Sequence, residues 1–282
     1  MKRVIILIVF ILVFLIGLSV LLYPVVSDYV NTMNQSRVIT DYNAQLSQLS
    51  AADYSELLNM AREYNERLPK KSNRFILTEE ELEEYHKMLN FTGTDVIGTL
   101  EIEAIKVKLP IYLGTEESTL QVGIGHLEGT SIPIGGKGTH SVISGHRGLP
   151  SSTLLTNADM LDVGDIFVLK ILNETLIYQI DHVIIVEPDD VGWLKIDPDE
   201  DYCTLVTCTP LGVNSHRILI RGARIFPANE DSPQQEVQGR RIFRADAKHV
   251  NALVSYLLAA APILIIVFIY NFVKSRKSKK RR

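Results

Sequence analysis

The sequence predicts a mainly β domain, a barrel or sandwich of about 130 residues, raised on a helical neck and held between two transmembrane helices. Three observations carry this reading. Runs rich in β-branched residues, separated by Gly, Pro and Asn, fill residues 95–226. The stretch before them, residues 27–94, is polar with helical periodicity and holds neither Gly nor Pro until Pro69. Two uncharged apolar runs, residues 4–22 and 252–270, are each long enough to cross a bilayer as a helix.

The first run is interrupted only by Gly17 and Ser19, the second only by Ser255 and Pro262. Lys2 and Arg3 precede the first. Lys274, Arg276, Lys277, Lys279, Lys280, Arg281 and Arg282 follow the second, so the basic flanks place both termini in the cytoplasm and the region between outside. The exit from the first run, residues 21–26, lacks the small residues of a signal-peptidase site, which favours an uncleaved anchor over a signal peptide. The expected organisation is a transmembrane anchor or signal peptide (1–26), a neck (27–94), a β domain (95–226), a polar linker (227–250), a C-terminal transmembrane helix (251–273) and a basic cytoplasmic tail (274–282). A cytosolic enzyme is excluded. Between the apolar runs stand 20 basic residues against 33 acidic ones. Such a surface argues against a nucleic-acid partner and is compatible with basic protein partners and a cell-membrane location.

In the neck, Leu57, Leu58, Ala61 and Tyr64 recur at helical spacing. Residues 69–77 break the pattern as a loop. Thr78 with Glu81 then forms a capping box for a helix whose apolar positions are Leu82, Tyr85 and Leu89. Strands are expected at 96–102, 107–112, 141–144, 166–171, 175–186, 203–207 and 216–225, with Asn173 and Glu174 as a tight turn. Asp189 and Asp190 beside Pro188 read as a solvated turn rather than a calcium site, and Gly135-Gly-Lys-Gly-Thr lacks the spacing of a phosphate-binding loop. No metal or cofactor is called for.

The chain has two cysteines, Cys203 and Cys208, in one strand-like segment. Five residues along a strand span about 17 Å, too far for a disulfide, and the odd separation sends the thiols to opposite faces. If residues 209–215 connect an antiparallel hairpin with Cys208 opposite Arg217, then Val206 faces Leu219 and Thr204 faces Arg221. The other face holds Cys203, Leu205, Thr207, Ile218 and Ile220 and is the natural core side. Cys208 and Arg217 then share the less apolar face. A nucleophilic cysteine needs a proton manager, usually histidine. His146 is the best placed, at the end of the apolar segment Ser141-Val-Ile-Ser-Gly-His-Arg-Gly, with His126 and His140 as competitors.

These residues resemble a known family. Thr204-Leu-Val-Thr-Cys-Thr-Pro is similar to the TLxTC signature of sortases, with Arg217 nine residues after the cysteine and His146 62 residues before it. Gly125-His-Leu-Glu-Gly-Thr-Ser, Ser144-Gly-His-Arg-Gly-Leu-Pro-Ser and Val186-Glu-Pro-Asp-Asp resemble class C sortases, the pilin polymerases of Gram-positive bacteria. The resemblance implies a closed eight-stranded barrel and a cysteine transpeptidase without cofactor or metal. Cys208 would be the nucleophile on an LPxTG-like sorting signal, His146 the general acid and base, and Arg217 the group holding substrate and oxyanion. A pilin lysine would resolve the thioester. A sortase that anchors surface proteins to the cell wall and a non-catalytic assembly or adhesion module remain the alternatives. Class C sortases also carry a lid with an Asp-Pro-aromatic motif. Here Asn73-Arg74-Phe75, within loop 69–77, stands in that place, keeping the ring and losing the acid and the proline, which implies a weaker latch.

Overall fold

Eight strands, β1 (Val96–Ile102), β2 (Val107–Leu113), β3 (Ile124–His126), β4 (Thr139–Gly145), β5 (Ile166–Ile171), β6 (Glu174–Val186), β7 (Asp201–Thr209) and β8 (His216–Ile225), close into a barrel in the order β1-β2-β3-β4-β7-β8-β6-β5 in a computed structural model that describes residues 2–226. Pairs β2/β3 and β4/β7 are parallel and the other six are antiparallel. Closure leaves no unpaired sheet edge and fixes which side chain of each alternating pair faces inward. Leu100, Ile111, Ile143, Phe167, Leu169, Leu205 and Ile220 fill the interior and are fully buried.

The expected bounds of β1, β5 and β8 coincide with those observed. β3 was not expected, because three residues between glycine-bearing turns are too few to show a period. The β5–β6 turn also differs from expectation. Ile171 pairs with Glu174, so the turn is Leu172-Asn173, with Leu172 at φ 49°. That left-handed residue is held from outside the sheet, where its backbone N–H donates to the Tyr42 hydroxyl at 3.0 Å.

Three helices precede the barrel: α1 (Lys2–Leu46), α2 (Ala51–Arg67) and α3 (Glu79–Lys87). A short fourth, α4 (Glu117–Leu120), follows β2. The first apolar run lies wholly within α1, whose most apolar window has a mean hydropathy of 3.5 and is not buried in the protein at all. The second apolar run, the linker and the basic tail lie outside the described residues. Ser50 caps α2 by accepting from the Asp53 N–H, and the Thr78–Glu81 capping box opens α3 in both directions. In α2 the expected stripe is buried at Leu58, Ala61 and Tyr64. In α3 Tyr85 is buried, as are Met88 and Leu89 just beyond the helix, but Leu82 is 40% exposed, because only the last turn of this short helix meets the barrel.

Polar contacts fix the neck in register with the barrel. The Tyr42 hydroxyl donates to the Ile97 carbonyl at 2.9 Å, and the Asn65 amide both donates to the Ile132 carbonyl (3.0 Å) and accepts from its N–H (2.7 Å). Tyr85 is fully buried and accepts from the Gly114 N–H at 2.9 Å, while its hydroxyl lies 2.9 Å from both the carbonyl oxygen and Nδ1 of His126. Removing that hydroxyl strands a buried N–H, at a cost of about 1–3 kcal/mol. Tyr85→Phe is therefore expected to lower the free energy of unfolding by that amount in denaturant titration, whereas Tyr54→Phe, at an exposed contact with Glu174, should change it by less than about 0.5 kcal/mol.

Candidate active site

β7 and β8 pair with Cys208 opposite Arg217, Val206 opposite Leu219 and Thr204 opposite Arg221, the register expected from alternation. Cys203, Leu205, Thr207, Ile218 and Ile220 face the core and are buried. The two thiols therefore differ in kind. Cys203 is enclosed, and burial pushes its thiol well above the ordinary range, whereas Cys208 is partly exposed on the outer face.

β4 lies parallel to β7 on its other side, with Ser144 level with Val206. Extending that register by two residues brings His146 level with Cys208. The strand end is pinned there by the Thr207 hydroxyl, which donates to the Gly145 carbonyl at 2.7 Å. Gly145 is required at this point, since a Cβ would lie 2.7 Å from Ile124 and 2.8 Å from Leu155. Arg147, its side chain only 6% exposed, locks the following loop by donating to the Thr156 carbonyl (3.0 Å) and the Thr209 hydroxyl (3.4 Å) and pairing with Asp159 (2.5 Å).

The two competing histidines are structural. His126 is fully buried, its Nε2 is 2.8 Å from the Ser131 carbonyl, and burial holds its pKa down to about 4. A neutral ring with Nε2–H donating to that carbonyl leaves Nδ1 to accept from Tyr85. His140 is likewise buried, placed between the Lys195 carbonyl (2.8 Å) and the Thr204 hydroxyl (2.7 Å), and is also held down to about 4 by burial. His146 alone of the three is partly exposed, just past the end of β4. Its Nε2 lies 3.3 Å from both carboxylate oxygens of Glu117, the first residue of α4. The Glu117 carboxyl is pulled below its usual range by the Gln121 amide and then by His146. Nothing in the sequence marks Glu117, which stands 29 residues from its partner.

On the other flank Arg217 donates to the carbonyls of Asn214 (3.2 Å) and His216 (3.1 Å), and no carboxylate among the described residues forms an ion pair with it. The neighbouring cations are committed elsewhere. Arg221 grips Asp181 at 3.1 and 2.6 Å and lies over the Tyr202 ring, and Arg147 is paired with Asp159. A groove of about 250 Å³ opens beside Arg217, walled by Leu127, Val186, Leu194, Val206 and Leu219. Asp190, near its rim, accepts from the Gly192 N–H at 2.9 Å, which is a turn contact.

The Asn73-Arg74-Phe75 segment touches the wall of this groove at Leu194. Phe75 packs on the cluster of Val142, Val186, Leu194 and Leu219. Arg74 is half-buried, donates to the carbonyls of Gly129 and Leu194, and has its guanidinium 4.6 Å from the centre of the Phe75 ring. Gly129, at φ 75°, is essential to the approach, because a Cβ there would lie 2.1 Å from the Arg74 carbonyl oxygen. Asn73 is exposed and makes no side-chain hydrogen bond among the described residues. The segment is therefore tied down by Arg74 rather than by the residue that replaces the acid.

A closed eight-stranded barrel whose one outward cysteine stands between a histidine-bearing and an arginine-bearing strand defines the class of this protein. Residues 100–225 match the Sortase domain. The sortase C1 structure from Streptococcus agalactiae is 48% identical with a TM-score of 0.65, covering 67% of this chain and 98% of that one. Sortase C from Streptococcus pneumoniae, described with its pilin substrate specificity, is 42% identical with a TM-score of 0.61, covering 67% and 97%. Sortase C from Clostridium perfringens, solved with the C-terminal cell wall sorting motif, is 39% identical with a TM-score of 0.60, covering 68% and 99%. Sortase D from Bacillus subtilis (strain 168) is 30% identical over 131 residues, a match spanning 45% of this chain and 63% of that relative's length. The chain belongs to the sortase family, and its structural neighbours are class C sortases. Membership is consistent with transpeptidation of a sorting signal by a cysteine.

The opposite surroundings of the two thiols give a direct expectation. A small thiol reagent added to the folded protein should modify Cys208 and leave Cys203 untouched until denaturant is added, as read by mass spectrometry of the two peptides. Labelling of Cys203 at a comparable rate would contradict the strand register.

Proposed function

We propose that this protein is a membrane-anchored cysteine transpeptidase that cleaves an LPxTG-like sorting signal through a thioester and joins pilin subunits by a lysine isopeptide bond. The observation that supports the reading is the register that sets Cys208 opposite Arg217, a wall residue of the groove, with the end of β4 that leads into His146 along the other side of β7. The pilin acceptor is supported by the class C likeness, including the relative described with pilin substrate specificity. Anchoring is supported by the apolar, unburied first half of α1, which would hold the barrel on the outer side of the cell membrane.

In this reading the Cys208 Sγ attacks the threonine carbonyl of the signal, and the tetrahedral oxyanion is met by the Arg217 guanidinium, which has no carboxylate to neutralise it. The C–N bond to glycine breaks as His146 gives the leaving amine a proton. A lysine amine then attacks the thioester, His146 takes its proton, and the C–S bond breaks to return Cys208. The apolar groove walls receive the side chains that precede the scissile bond. His146 faces Glu117 in the resting geometry, so its hydrogen bond to the reacting groups is completed only when substrate arrives, a common feature of unliganded sites.

The test is incubation of the full chain with a pilin bearing the sorting signal, followed by mass spectrometry of any cross-linked peptide. A lysine isopeptide is expected, together with a trapped thioester on Cys208. Cys208→Ala should lose both, whereas Cys203→Ala should keep both at a stability cost of about 1 kcal/mol. Cross-linking to a cell-wall amine in place of lysine would replace the pilin reading with wall anchoring, and a thioester formed by the Cys208 variant would remove the nucleophile assignment.

The Phe75 segment acts in this reading as a lid whose latch is Arg74. Charge-assisted hydrogen bonds contribute about 1.5–3 kcal/mol each, and losing about 1.4 kcal/mol raises an open population tenfold. Arg74→Ala is expected to speed modification of Cys208 by a bulky thiol reagent about tenfold, with Asn73→Ala unchanged. Equal rates in all three proteins would leave Phe75 a packing residue.

A further inference from the structure

Two loops at the reactive end of the barrel are conspicuous for what they lack. In a chain with 22% charged residues, segments 148–158 and 209–215 contain no Asp, Glu, Lys or Arg. At their tips Leu211 is 51% exposed and Val213 69% exposed, with Gly148 and Pro150 also open to solvent. The two loops are in contact, since a Cβ on Gly148 would lie 2.5 Å from the Leu211 side chain. Together they form one uncharged, partly apolar surface beside Cys208.

The same surface is bonded to α1. The Asp28 carboxylate accepts from the Thr153 N–H at 2.6 Å, and the Asn31 amide donates to the Ser151 carbonyl at 2.7 Å. α1 is a single helix from Lys2 to Leu46, so axial distances along it follow from its rise. From Leu22, the last residue of the apolar run, Asp28 is about 9 Å and Asn31 about 14 Å along the helix, at 1.5 Å per residue. The polar headgroup layer is itself roughly 5–8 Å thick on each side of the hydrocarbon core. Asp28 therefore stands about at the outer edge of the headgroups and Asn31 roughly 6 Å beyond it.

From this geometry we infer that the reactive end of the barrel faces the bilayer and that the uncharged tips, chiefly Leu211 and Val213, rest in the membrane interface. This inference rests on the anchoring proposed above. This end carries the carboxylates of Asp28, Glu117 and Glu187 together with the Arg217 cation, so charges of both signs surround the tips and the contact itself is apolar and indifferent to headgroup charge. The consequence is that the site receives chains emerging from the same membrane rather than from the wall side. The Gly135–Gly138 end of the barrel points away from the lipid, because β4 and β7 run parallel from there to the reactive end.

The test uses the full chain reconstituted into vesicles, with Trp193→Phe removing the single native tryptophan. A tryptophan is then placed by Val213→Trp, by Pro150→Trp, or by Lys137→Trp at the opposite end. Lipids carrying a nitroxide near the headgroup should quench the first two at least about twofold more than the third, equally in zwitterionic and anionic vesicles, because interfacial side chains sit about 5–10 Å into the headgroup boundary. Equal quenching at all three positions in protein that floats with the vesicles would overturn the orientation alone. Quenching seen only with anionic lipid would overturn the apolar contact. Protein that fails to float with vesicles would remove the anchor and the orientation with it.

Discussion

The reactive face depends on the register of β7 between its two neighbours. A slip of one residue would turn Cys203, Leu205 and Thr207 outward and send Cys208 into the core, exchanging an inert thiol for the exposed one. Three contacts resist this. The Thr204 hydroxyl is held 2.7 Å from His140 Nε2, the Thr207 hydroxyl donates to Gly145, and the Thr209 hydroxyl accepts from Arg147. All three cross between β7 and the β4 side. At the start of the strand, buried Asp201 adds a fourth, accepting from Tyr178 at 2.9 Å and from the Gly136 N–H at 2.7 Å. Burial raises the Asp201 carboxyl above its usual range, so these donors offset a desolvation cost and define where the strand begins.

The neck extends the same logic outside the barrel. Its helices are bonded at sites that also shape the sheet: Tyr42 at the β5–β6 turn, Asn65 at Ile132, and Tyr85 between β2 and β3. Each is a buried polar side chain serving backbone groups that a loop would otherwise leave unpaired. The chain from Leu68 to Leu77 must then pass over the barrel to join α2 to α3. That path brings Phe75 onto the Val142, Val186, Leu194 and Leu219 cluster and Arg74 onto the Leu194 carbonyl, so this contact is a by-product of how the neck docks.

Much of this was legible in the sequence where alternation is long and one face is apolar. β7 and β8 are nine and ten residues, and their pairing follows from placing Ile218 and Ile220 beside Leu205. The capping box of α3 is a local signature and was equally plain. What escaped was set by tertiary contact. β3 is three residues long and exists because two neighbours offer it partners. The β5–β6 turn fell one residue earlier than its Asn suggested, because Tyr42 rewards Leu172 for a left-handed backbone. Glu117 reaches His146 only through the fold, and the role of Arg74 was invisible because its partners are two backbone carbonyls, which no side-chain pattern encodes.

Charge allocation accounts for how such a face can favour one reaction. Arg147 and Arg221 each hold a carboxylate, which spends their charge on structure. Arg217 meets only carbonyl dipoles at the end of a hairpin loop. On the proposed reading, the peptide that enters the apolar groove is neutral where it contacts Arg217, and charge develops there only as the tetrahedral intermediate forms. A guanidinium paired with an acid would gain little from that change, whereas one resting on dipoles gains most when the oxyanion appears. Selectivity for the transition state then follows from leaving one cation without an acid beside the one thiol that the strand register exposes.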